Sequence, residues 1–252
     1  MTASETIRAR ASVRHFMNTP IPDSIVQAII DDASWAPSAG NMQPWRVAVL
    51  SEKASQQFRD RYEALGWESV LPSLRVALLS HASSHQKTSW EVNQQVMQTY
   101  QQQVVVKGTP RVIAIYYDKP TLKEFNQLSL AALSLFWHRM GAVKSPVKKL
   151  AAFIQLALRS RRDYRVAQNA VKASLANFTY GLTLAAKQRG VDSCIQFSYN
   201  HAFPWLRKDL KLSRKQKLFG VVLIGVSSKP AGLEGVNSRN RRSVAIQWLP
   251  TL

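Results

Sequence analysis

The chain has 252 residues, enough to bury a sizeable core and at the upper end of what one domain contains. Apolar residues make up 46% and aromatics 9%, which excludes a disordered or fibrous chain, and the single cysteine, Cys194, excludes an intrachain disulfide. With 34 Lys and Arg against 15 Asp and Glu the net charge is +19, so anionic partners are attracted at long range while the fold is left open.

No basic–apolar–small pattern opens the sequence, so a cytoplasmic protein is expected, and no apolar run reaches the ~18 residues a spanning helix needs. The stretch RARASVRHF (8–16) puts three arginines within seven positions. Guanidinium forks hold phosphate or carboxylate oxygens through paired, charge-assisted hydrogen bonds, so the stretch reads as an anion grip. A nucleic-acid backbone, a membrane surface or one particular phosphate would satisfy it. Asp23 after Pro22 reads as an N-cap, and Ile25, Ile29 and Ala33 follow at helical spacing, predicting a helix at about 23–35 that Pro37 stops. The loop APSAGNMQPW (36–45) has turn chemistry in Pro37, Ser38 and Gly40. Its Asn41 and Gln43 add amides that offer donor and acceptor together, as the edge of a heteroaromatic ring requires. Trp35 and Trp45 flank the loop and read as packing residues.

WRVAVL (45–50), RVIAIYY (111–117) and LFGVVLIGV (218–226) read as sheet strands, being β-branched, apolar and bounded by turn or charged residues. His81 and His85 are four apart without a third ligand nearby, so they are read as surface histidines and no metal site is assigned. Within about 121–165, residues 122–140 and 146–162 read as two amphipathic helices. Leu150, Ile154 and Leu158 face one way in the second, with Lys148, Lys149, Arg159, Arg161 and Arg162 at its ends. Nine basic residues and one acid, Asp163, fall between Arg139 and Lys172. This segment is read as a lid or a dimer-packing element; contact with anionic lipid or an acidic partner, and so a peripheral membrane location, is the alternative. Val171, Leu175, Phe178, Leu182 and Ala185 step by four, three, four and three, predicting a long, central, buried helix with Gly190 as its C-cap. Cys194 reads as a small buried hydrophobe, since no activating base accompanies it. The simplest account is a single α+β domain over 1–252.

Four pieces in order, RARASVRHF, APSAGNMQPW, GVDSCIQ (190–196) and NSRNRRSVAIQW (237–248), make the chain resemble the nitroreductase family of flavoproteins. Its CIQ is similar to the CPQ of the nitrobenzoate-reductase-like branch. The resemblance implies an α+β fold with a central mixed sheet flanked by helices, and an interleaved homodimer holding FMN in two interface clefts. It implies NADH or NADPH as electron donor and ping-pong reduction of small-molecule acceptors such as nitroaromatics and quinones. By resemblance Arg10, Ser12 and Arg239 hold the FMN phosphate and Arg14 lies beside the pyrimidine edge of the ring. Pro37, Ser38, Asn41 and Gln43 would reach the cofactor from the other chain, and backbone N–H groups of Gln196, Phe197 and Ser198 would meet flavin N5 and O4. No catalytic side chain is named, because the flavin carries the chemistry. Ile195 stands where several relatives have Pro, and Phe197 and Ser198 where others have an acidic residue and Gly. A flavin oxidase or dehydrogenase of a peptide or natural-product intermediate is the alternative on the same fold. A basic module binding nucleic acid or lipid is the alternative of another class, although no recognisable nucleic-acid motif is present.

Overall fold

The computed structural model describes residues 1–64, 106–108, 110–119, 137–138, 141, 145–197 and 203–228. The chain opens with α1 (Ala3–Ala9), started by a capping box in which Thr2 Oγ1 accepts from the Glu5 N–H and the Glu5 carboxylate accepts from the Thr2 N–H. Next comes α2 (Asp23–Ala33), where Pro22, and not Asp23, is the capping residue. The Asp23 carboxylate instead pairs with Arg111 at 2.9 Å, because a nearly buried guanidinium is the more demanding partner. A 3₁₀ turn (Ala39–Asn41) leads to β1 (Arg46–Val49), α3 (Glu52–Ala64), β2 (Arg111–Asp118), α4 (Pro146–Gln188), β3 (Asp192–Gln196), α5 (Phe203–Asp209) and β4 (Gln216–Gly225).

The strands lie in the order β1-β2-β4-β3, and every ladder between them is antiparallel. Among the described residues the sheet is therefore antiparallel where a mixed one is expected, and parallel pairing is confined to the isolated bridges Ser12–Ser193 and His15–Lys107, made by a strap laid beside it. The three expected strands are β1, β2 and β4. The fourth, β3, escapes a search for apolar runs because it begins Asp192–Ser193 and its buried positions include Ser193 and Gln196.

The sheet is covered on both faces, which explains the unbroken apolar runs Val112–Ile115 and Val221–Ile224. Alternate residues divide between two cores, as strand pleating requires. Ile113, Ile115, Val222 and Ile224 pack against Val26, Ile29 and Ala33 of α2 and Val171, Leu175, Phe178, Leu182 and Ala185 of α4. Val112, Ala114, Val221 and Leu223 pack on the other side against Val13, Phe16, Phe58 and Leu206.

All five residues of the predicted helical stripe are buried. The helix is longer than the stripe: residues 146–162, expected as a separate helix, and the buried segment are one 43-residue α4, about 65 Å long at 1.5 Å per residue. No Gly or Pro occurs between 163 and 170 to break it. Its end is a Schellman turn on Gly190 (φ +72), with Gly190 N–H donating to Lys187 O and Val191 N–H to Ala186 O. Residues 122–136, the greater part of the first expected amphipathic helix, lie outside the described residues.

Phe178 is fully buried and its ring stacks on Trp45 at 4.9 Å. Phe178→Ala is expected to cost about 3–5 kcal/mol in urea unfolding. Leu150→Ala, on the exposed start of the same helix, should stay within about 0.5 kcal/mol.

Candidate functional site

Arg10 leaves α1 as its C-cap with extended backbone, and residues 11–17 become a strap across the ends of the sheet. Val13 N–H donates to Ser193 O, Lys107 N–H to Arg14 O, Phe16 N–H to Lys107 O and Met17 N–H to Val226 O, all between 2.7 and 2.9 Å. Val13 and Phe16 are buried anchors, so the polar residues Ser12 and Arg14 are presented from a fixed backbone. Gly108 (φ +89) makes the strap's seat: a Cβ there would fall 1.9 Å from the Phe16 carbonyl oxygen.

The Arg10 guanidinium carbon lies 6.0 Å from the centre of the Tyr180 ring, at the outer limit of a cation–π contact. Its Nε is buried and has no hydrogen-bond partner among the described residues. Leaving a buried donor unsatisfied costs about 1–3 kcal/mol, so an acceptor brought to this Nε would lower the energy. Arg14 donates from Nη1 to the Ser12 carbonyl at 3.3 Å, which holds its side chain against the backbone of the strap.

The 36–45 loop is mounted on α4. Asn177 Nδ2 donates to Pro37 O and the Ala39 N–H to Ser174 Oγ, each at 3.1 Å. Ser38 Oγ accepts from the Gln43 N–H, and Gln43 Nε2 donates to Asn41 Oδ1 at 2.9 Å. Gly40, Asn41 and Gln43 have φ of 56°, 54° and 40°. Left-handed backbone is easy for Gly and tolerable for Asn, but it strains Gln, and such strain gathers where a loop must present groups in a set direction. Asn41 and Gln43 are both exposed. Their mutual bond leaves the Asn41 NH₂ and the Gln43 carbonyl oxygen free to meet an outside donor–acceptor edge.

Ser174, Asn177 and Tyr180 carry both features, and sequence reading missed them. They follow one another at three-residue steps off the apolar stripe, which puts loop and Arg10 along one side of α4 within about 9 Å of helical rise. Polar and aromatic residues recurring at that spacing beside the buried apolar stripe were the available signal.

The third part follows α4 directly. Lys187 and Asp192 form a largely buried ion pair at 2.8 Å across the turn into β3. Ser12 lies beside Ser193, and Gln196 is three residues further, about 10 Å along the strand. Gln196 is buried and donates to Cys194 Sγ at 3.4 Å; Cys194 is buried as expected. Phe197 is half exposed and meets Phe219 edge-on at 5.3 Å. Ser198, Arg239, His81 and His85 lie outside the described residues. Trp45 packs as expected, but Trp35 does not: it is 89% exposed, because at the end of α2 it falls off the Val26–Ile29–Ala33 stripe. It borders an apolar groove of about 480 Å³ shared with Met1, Ile7, Ala36 and Leu184.

The Nitroreductase family profile matches residues 7–226. Among curated relatives, a Thermus thermophilus protein described as NADH dehydrogenase is 38% identical over 48 residues, 19% of this chain and 23% of the relative. Pseudomonas putida 4-nitrobenzoate reductase is 42% identical over 50 residues, 20% of this chain and 22% of the relative. The chain thus spans less than a quarter of the length of these relatives. Among solved structures, the FMN- and NADPH-dependent nitroreductase NfnB from Sphigopyxis sp. superposes with a TM-score of 0.59 at 18% identity, covering 100% of both chains. A BluB-like flavoprotein from Clostridium difficile gives 0.57 at 17% identity, covering 98% of this chain and 95% of that one. These structures share the fold.

The Ser174 hydroxyl is one of the loop's two fixing points on α4, beside Asn177. Ser174→Ala should lower stability by about 1 kcal/mol in urea unfolding. It should also speed amide exchange at Ala39 without changing exchange in β2.

Proposed function

The chain belongs to the nitroreductase family, and on that premise we propose that it is an FMN-dependent NAD(P)H oxidoreductase reducing nitroaromatic, quinone or related small-molecule acceptors. The observation that carries the reading is the buried, unpartnered Nε of Arg10 on a strap that also presents Ser12 and Arg14. A flavin phosphate would supply an acceptor oxygen to that Nε. When bound, FMN would supply two-electron redox chemistry between NAD(P)H and an oxidised acceptor, in a ping-pong cycle.

This chain's residues bind and orient. Arg10 and Ser12, with Arg239, would hold the phosphate. Arg14 would put a fixed cation where negative charge gathers on reduction, which favours the reduced form. Ser38, Asn41 and Gln43, on a loop stiffened at Pro37, would pair with the ring's polar edge, and backbone N–H groups of Gln196, Phe197 and Ser198 would face its reacting edge. The named relatives support the donor and the acceptor class: the Sphigopyxis enzyme is described as FMN- and NADPH-dependent, and the P. putida one as a 4-nitrobenzoate reductase.

The active form would be a homodimer in which the 37–43 loop serves the partner's cofactor. The exposed Trp35 and the groove it shares with Ile7 and Leu184 give a second copy an apolar seat of the kind monomers seldom leave open.

Three experiments test this. Purified protein should be yellow and bleach anaerobically with NADH or NADPH; a yellow protein bleached by neither would favour the oxidase reading, and a colourless one that FMN cannot reconstitute would overturn both. Arg10→Ala should weaken FMN binding by about 1.5–3 kcal/mol, the range for hydrogen bonds to charged groups, and unchanged affinity would move the phosphate elsewhere. Trp35→Glu should shift the protein to monomer in sedimentation velocity with loss of bound FMN.

A further inference from the structure

The first turns of α4 play no part in the site. Among the described residues, no side chain of this helix before Val171 belongs to either core. Val147, Leu150 and Ile154 are 73%, 61% and 50% exposed, and their steps of three and four align them in one stripe. By helical phase Lys148 and Lys149 lie about 130° from the centre of that stripe, one on each side and toward the polar face, while Arg165, eighteen residues after Val147, shares the stripe's face further along the helix; Arg165 and Lys172 are exposed.

The charges are as uncompensated as the apolar surface. Among the described residues, no ion pair uses Lys148, Lys149, Arg165 or Lys172; the pairs present use Arg46, Arg61, Arg111, Lys187 and Arg189. The first turn contains no acid. It does contain Lys148 at the positive end of the helix dipole, where a cation is unfavourable unless an anion lies close. Between Arg139 and Lys172 the sequence has nine basic residues and one acid.

These observations select the occupant. A second copy on this face would bring two such basic segments together. Nucleic acid would answer the charge and leave Val147, Leu150 and Ile154 in water. A bilayer surface with anionic headgroups answers both, since lysine stems reach along an apolar stripe and lift the ammonium into the headgroup layer. No helix among the described residues is long and apolar enough to cross a membrane, so the segment would lie on the surface.

We propose that residues 146–165 form a membrane-surface helix that sets Val147, Leu150 and Ile154 into the interface of a bilayer containing anionic phospholipid, with Lys148, Lys149 and Arg165 on the headgroups. The proposal is independent of the redox reading.

The test is sedimentation of the full chain with vesicles of phosphatidylcholine alone and with one third phosphatidylglycerol, at low and high salt. The expected result is binding to the anionic vesicles that salt weakens, with partitioning reduced about tenfold or more in Leu150→Glu/Ile154→Glu. Lys148→Gln/Lys149→Gln should bind more weakly and with a smaller salt dependence. An unchanged urea midpoint shows that the variants are folded. No sedimentation of the parent at low salt overturns the proposal. So does equal binding by Leu150→Glu/Ile154→Glu, or a shift of that variant to a smaller species, which would assign the stripe to a second copy. Release from vesicles by duplex DNA, which the parent and Leu150→Glu/Ile154→Glu hold equally well, would assign the charge to nucleic acid and overturn it as well.

Discussion

Burial of one stripe of α4 against the sheet sets almost everything else. Leu175, Phe178 and Leu182 are wholly enclosed against Ile113, Ile115, Val222 and Ile224, and each such side chain contributes about 1.5–3 kcal/mol when taken out of water. That burial fixes the helix's rotation about its own axis. With the rotation fixed, Ser174, Asn177 and Tyr180 have only one direction to face, and the 36–45 loop and Arg10 are attached to them. The core specifies the site through helical phase.

The strap and the loop solve opposite problems with the same backbone chemistry. Arg10–Met17 is short and polar and would wander, so it is laced to Ser193, Lys107 and Val226 and pinned by Val13 and Phe16. Gly108 is what lets it lie that close. The loop is instead tightly folded, with three left-handed residues in a row of four, and it is held by hydrogen bonds to α4 more than by burial. Strain of about 1–3 kcal/mol per unusual residue persists only where surrounding structure over-determines the backbone, and here α4 does so.

Net charge works differently in the two halves of α4. Near its C-terminus cations have partners: Lys187 meets Asp192 and Arg189 meets Asp32. Those pairs tie α2, α4 and β3 into one unit. In its N-terminal half the described cations have no acid facing them and the described apolar residues Val147, Leu150 and Ile154 belong to neither core, so one helix joins a packed scaffold to an exposed apolar and basic face.

Much of this was legible from residue order alone. The stripe from Val171 to Ala185, the Gly190 stop, the three apolar strands and the arginine-and-amide motifs are local patterns, and a period of 3.6 or 2 with a turn residue at its end reports them directly. The sequence likewise marked Cys194 as buried and set the excess of basic charge in 139–172. It could not show β3, whose polar residues are buried because Ser193 receives the strap and Gln196 turns back on Cys194. Nor could it give Asp23 to Arg111, separate Trp35 from Trp45, or join the two halves of α4. Each of these depends on which distant segment arrives opposite, and that is set by packing in three dimensions and leaves no period in the chain.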